Sequence, residues 1–177
     1  MEARFLYFTV HSASNLIDVR KLGEMKVYAK VSIAGKSKCT EPDVVNNINP
    51  EWNKTLEFIV PEMNIIQAQG KISVKIELIC KRSLSRDKYV GEVNLSLDSQ
   101  CPKSCNTCLV DMNGSSFGTL MYSSVLGEKH IVVDSSPSKD YTNKIGIAQI
   151  GATLVGAGAA VGAALVGAVA AVGAALA

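Results

Sequence analysis

Strict alternation of apolar and polar side chains governs much of this chain and limits what it can fold into. Val27, Ala29, Val31 and Ile33 alternate with Tyr28, Lys30 and Ser32. Ile72, Val74, Ile76 and Leu78 alternate with Ser73, Lys75 and Glu77, and Leu6, Phe8 and Val10 with Tyr7 and Thr9. Val93, Leu95 and Leu97 repeat the pattern, and shorter runs at 56–60 and 119–122 fit it. A period of two places one face of an extended segment on a core and the other in water. Turn-forming clusters, notably Asn46-Asn47-Ile48-Asn49-Pro50 and Asn113-Gly114-Ser115-Ser116, separate the runs. No helical period occurs before residue 144. The pattern predicts an all-β, eight-stranded antiparallel β-sandwich over residues 1–128.

Charge divides the chain in two. All 18 Lys+Arg and 16 Asp+Glu lie at or before Lys144, whereas 145–177 carries no charge and only Gln149 and Thr153 as polar side chains. A formal net charge of +2 excludes a nucleic-acid binder of the strongly basic kind. Residues 129–144, with Ser135-Ser136-Pro137-Ser138 among charges, read as a flexible linker. Met1-Glu2-Ala3-Arg4, a short apolar run and His11 do not make an export signal. A cytosolic head with free thiols is expected.

The apolar segment repeats every eleven residues, as GATLVGAGAAV, GAALVGAVAAV and GAALA. Eleven residues make about three helical turns, so an apolar Gly/Ala-rich helix is predicted over 145–177. As a helix, 150–177 would measure about 42 Å against a hydrocarbon core of ~30 Å. Its aliphatic side chains would contribute roughly −3 to −5 kcal/mol to insertion. A transmembrane or membrane-anchoring role follows, with Lys139 and Lys144 on the cytosolic side. Gly158 and Gly162 form a GxxxG that suits self-association within the membrane.

At Asn49-Pro50-Glu51-Trp52-Asn53 a turn precedes an alternating strand. Ser12-Ala13-Ser14-Asn15-Leu16 follows the first strand, Val27-Tyr28-Ala29-Lys30-Val31 forms the second, and Tyr89-Val90-Gly91-Glu92-Val93 opens a later one. In this order the motifs resemble the C2 (calcium- and phospholipid-binding) domain. Gly118-Thr119-Leu120-Met121-Tyr122, Gly127-Glu128-Lys129 and the Gly-rich apolar C-terminus look most like the small plant cold-responsive C2 proteins. Trp52 and Pro50 identify the fold, as an edge plug and a turn former, and carry no chemistry themselves.

The resemblance implies where calcium would bind, through aspartates of two loops that supply several hard oxygen ligands at once. Carried over by position, those places hold Arg20, Lys26, Cys80, Arg82 and Lys88. Asp18, Asp43 and Asp87 lie nearby but out of register; a shift of one residue would bring Asp87 into play. Loops 18–26 and 80–88 together hold seven basic residues (Arg20, Lys21, Lys26, Lys81, Arg82, Arg86 and Lys88) against Asp18, Glu24 and Asp87. The basic end therefore lies where the resemblance places lipid. Near an anionic leaflet each basic side chain contributes roughly 1 kcal/mol.

Cys101, Cys105 and Cys108 form a CxxxCxxC string. Its spacing is that of an iron–sulfur ligand set, but such enzymes need a βα barrel, and a zinc site lacks an evident fourth ligand. Loop cysteines are the favoured reading, with acylation as an alternative. No catalytic constellation accompanies His11 or His130, so no enzyme and no cofactor is expected. The sequence reads as a membrane-associated adaptor in stress or trafficking signalling. Its expected partners are anionic lipid and a membrane protein, bound without calcium. The alternative is a calcium-responsive module that regulates a membrane protein.

Overall fold

The computed structural model describes residues 1–133. The expected anchoring helix over 145–177 and most of the linker lie outside them. Eight strands and one short helix follow in order: β1 (Glu2–Ser14), β2 (Val27–Ile33), β3 (Lys36–Cys39), β4 (Glu51–Pro61), α1 (Glu62–Gln67), β5 (Lys71–Cys80), β6 (Lys88–Asp98), β7 (Lys103–Met112) and β8 (Ser115–Ile131). The strand order is β3-β2-β5-β6-β7-β8-β1-β4. β6 and β7 join at the pair Glu92↔Asp111. At that join the sheet folds into two four-stranded halves, giving the expected antiparallel sandwich. A Cβ on Gly91 would lie 2.6 Å from Val110 Cγ1 and 3.0 Å from the Asp111 carbonyl, so the missing side chain permits this close approach.

The alternation read in the sequence is the burial pattern. Val27, Ala29, Val31 and Ile33 are buried from β2, as are Ile72, Val74, Ile76, Leu78 and Cys80 from β5. Leu6, Phe8 and Val10 of β1 and Leu120 and Tyr122 of β8 are buried in the same core. There the Phe8 and Tyr122 rings stack at 5.3 Å. Each fully buried large aliphatic side chain contributes about 1.5–3 kcal/mol, and this core holds the loops at the strand ends in place.

Three elements differ from expectation. β7 runs through Cys105 and Cys108, which are therefore strand residues, while Cys101 lies in the turn before it. α1 occupies 62–67 where no helix was expected. β8 extends three residues past the predicted head boundary at 128, to Ile131. By packing the chain divides into two units, Phe5–Gly127 and another that takes in Met1–Arg4 and begins again at Glu128. Within the latter, the Met1 amino group and Val132 carbonyl meet at 2.8 Å, and Lys129 pairs with Glu2 at 3.4 Å. The candidate site belongs wholly to Phe5–Gly127.

Candidate functional site

One end of the sandwich gathers three connections: residues 15–26 between β1 and β2, 40–50 between β3 and β4, and 81–87 between β5 and β6. The middle connection is a fixed support. Its asparagines lace the first connection to it: Asn47 Oδ1 accepts the Met25 N–H, Asn49 Oδ1 accepts the Asn15 N–H, and the Ile48 carbonyl accepts the Leu16 N–H. Trp52 is the second residue of β4, and its indole N–H donates to the Val27 carbonyl at 2.9 Å. The Asn-Pro-x-Trp-Asn run is therefore framework, as expected.

The three aspartates near these loops are already engaged. The Asp43 carboxylate accepts the N–H groups of Val45, Asn46 and Glu51 and the Asn46 side-chain amide, at 2.7–2.8 Å. Burial opposes its charge, yet the hydrogen bonds from Glu51, Asn46 and Val45 prevail and hold its pKa down to about 2. Asp18 Oδ1 accepts the Arg20 N–H, forming a local turn. Asp87 takes the Arg82 N–H on one oxygen and the Tyr28 hydroxyl on the other, at 3.1 and 2.9 Å. Those bonds lower the Asp87 pKa. Burial first, then Asp87, pushes the Tyr28 phenol up to about 12. Among the described residues no three His, Cys, Asp or Glu side chains converge as a metal ligand set.

The cations do converge. Arg82 Nη2 and Lys88 Nζ both reach the Val19 carbonyl of the first connection, at 3.5 and 3.0 Å. Arg20 Nη1 donates to the Glu24 carbonyl within its own loop. Arg20, Lys21, Arg82 and Lys88, together with Ser83 and Ser85, line an open groove of about 580 Å³. Among the described residues none of these four cations forms an ion pair with a carboxylate. The sheet face differs: Lys30 pairs with Glu77, and Lys75 with Glu77 and Glu92, at 3.2–3.6 Å. Lys30 and Lys75 on the sheet are thus partnered by carboxylates, whereas the four groove cations are not.

Of the seven basic residues picked out in the sequence, the groove thus joins four. Lys81 and Arg86 are exposed and Lys26 half-buried, outside the lining; the Lys26 carbonyl accepts the Lys81 N–H and ties the two loops together. Cys80 is fully buried at the end of β5, paired with Val27 and Lys88 on either side. The sequence reading missed the apolar tips. Leu22 and Leu84 stand almost wholly in solvent at the groove, and Val44 and Val45 are exposed on the middle connection. Lone leucines set in Lys21-Leu22-Gly23 and Ser83-Leu84-Ser85 were the available signal. Such exposed aliphatics at a cationic rim have no core to serve.

The molecule is thus an eight-stranded antiparallel β-sandwich with a cationic, apolar-tipped loop end. The profile of the C2 domain family matches residues 4–111, and the chain belongs to that family. It is 27% identical over 146 residues to Protein SRC2 homolog of Arabidopsis thaliana, covering 77% of this chain and 44% of that protein. It is 31% identical over 102 residues to Protein SRC2 of Glycine max, covering 55% and 34%. The chain spans less than half the length of these curated relatives. A C2 domain of plant Extended Synaptotagmin 1 has a TM-score of 0.58 at 16% identity, over 70% of this chain and 94% of that one. At that identity the likeness concerns the fold alone.

Proposed function

We propose that this chain is a membrane-associated C2 adaptor whose loop end binds anionic phospholipid directly, without calcium. The observation that carries the reading is the meeting of the Arg82 guanidinium and the Lys88 ammonium on the Val19 carbonyl. Fixed positive charge lies where a divalent ion would need acidic oxygens, and Asp18, Asp43 and Asp87 are committed to the loops' own backbone and side chains. A divalent ion must displace such bonds and approach several cations, at a Coulombic cost that grows as water is excluded. Leu22 and Leu84 add apolar contact with the acyl boundary.

In this reading the uncharged 145–177 segment supplies a second point of attachment, and two weak contacts act together. The head stays cytosolic, the adaptor meets a membrane protein in stress or trafficking signalling, and the chain is not an enzyme. Sedimentation of the full chain with phosphatidylcholine vesicles, with and without phosphatidylserine, tests the lipid claim. Binding to the anionic vesicles in chelator, unchanged by added calcium and weakened by salt, is expected. Binding that requires micromolar calcium would overturn it in favour of a calcium-responsive module.

A further inference from the structure

We infer that the groove between residues 18–26 and 81–88 is a headgroup site for a lipid phosphate monoester. The inference rests on the anionic-lipid reading above and narrows it to one chemical class. Four cations around one concavity of about 580 Å³ repel one another, and a ligand with more than one negative charge relieves that repulsion better than a singly charged one. A phosphodiester headgroup brings a single charge on two terminal oxygens. A phosphate monoester brings about −1.5 to −2 and three strong acceptor oxygens. Of the two, the monoester offsets more of the groove's positive charge.

Donor geometry agrees with that preference. The Val19 carbonyl accepts one donor each from Arg82 and Lys88, and the Glu24 carbonyl accepts one from Arg20. A guanidinium has five donors and an ammonium three, so most of them remain for a ligand. Holding Arg20, Arg82 and Lys88 by backbone carbonyls places three of the four heads in advance, and with no carboxylate partner among the described residues the charge of all four stays uncancelled. Ser83 and Ser85 line the same groove and supply hydroxyl donors for the remaining oxygen positions. Leu22 and Leu84 flank it, which points to a phosphate carrying acyl chains over a free one.

The test uses the full chain and two sets of phosphatidylcholine vesicles matched in surface charge, one containing phosphatidic acid and the other phosphatidylserine. About tenfold tighter binding to phosphatidic acid is expected, the equivalent of one good charge-assisted contact. Lys88→Gln and Ser85→Ala should erase the preference while leaving weak binding to both. Lys81→Gln and Arg86→Gln, outside the groove, should weaken both alike and keep the ratio. Unchanged thermal unfolding of each variant shows that folding is intact. Equal binding to the two vesicle sets would overturn the monoester inference while the anionic-lipid reading stands. Binding to neither would overturn that reading itself. Release from phosphatidic acid by equimolar inorganic phosphate would overturn the lipid source.

Discussion

The Tyr28 hydroxyl donates to Asp87 Oδ2 at 2.9 Å, joining the start of β2 to the loop between β5 and β6. The carboxylate that a one-residue shift of register would have offered to calcium is thereby turned towards the sheet. Its other oxygen takes the Arg82 N–H. Removing the charge of Asp87 with Asp87→Asn should lower the Tyr28 pKa from about 12. It should stay above the ordinary value of 10.0 because burial, the largest cause, persists. Titration of the phenol ring signals by NMR, assigned with Tyr28→Phe, measures this. An unmoved Tyr28 titration would show that the bond is absent in solution.

Asp43 links acid stability to the same end of the molecule. Its folded pKa is about 2 against an ordinary 3.8, a depressed carboxylate. Its contribution is complete above the unfolded value and disappears as pH falls from about 4 towards about 2. Asp43→Asn should destabilise the chain at neutral pH by on the order of 1–2 kcal/mol. That is the low part of the range for bonds to a charged acceptor, because the carboxylate is partly solvated. The variant should also lose less stability than the parent between those two pH values. Denaturant midpoints measured across the window check both effects; parallel acid curves would count against the assignment.

What could be read from the sequence follows from where the apolar period is strong. β2 and β5 are central, and one face of each is buried, so their alternation predicts both strand and core. β3 is a four-residue edge with every side chain exposed, and nothing apolar marks it. β7 meets β6 at one residue pair, and only Val110 of its ten residues is buried. Its sequence, Lys103-Ser104-Cys105-Asn106-Thr107-Cys108, therefore reads as a loop. The cationic positions were legible because charge of the wrong sign stands out at a motif position. The engagement of Asp43 and Asp87 was not, since it depends on partners up to 59 residues away. Nor do isolated leucines create a period that would announce Leu22 and Leu84.

The cysteines divide by strand geometry. Cys39, Cys101 and Cys105 are exposed, Cys80 is buried and Cys108 is half-buried. Burial raises the Cys108 pKa, and its Sγ–H donates to the Leu120 carbonyl at 3.4 Å. Thiolate, not thiol, reacts. An alkylating reagent at neutral pH should therefore label Cys39, Cys101 and Cys105 in the native chain, and all five cysteines only in denaturant. Peptide mass spectrometry gives the sites. Rapid native labelling of Cys108 would mean that β7 opens readily from β8.

Apolar and electrostatic contributions to membrane binding can be separated at the loop tips. Leu22 and Leu84 are exposed at the groove and outside the core cluster, so Leu22→Ala and Leu84→Ala should leave thermal unfolding unchanged. Complete burial of a leucine contributes about 1.5–3 kcal/mol. Partial insertion at an acyl boundary should then make each change lower vesicle binding by about three- to tenfold. The loss should persist at high salt, because the removed contact carries no charge, whereas the effect of Lys88→Gln should shrink as ions screen the groove. Leu84→Trp, with a larger amphipathic ring, should strengthen binding. Leucine variants that bind as the parent does would show that the tips stay in water and that the cations alone reach the surface.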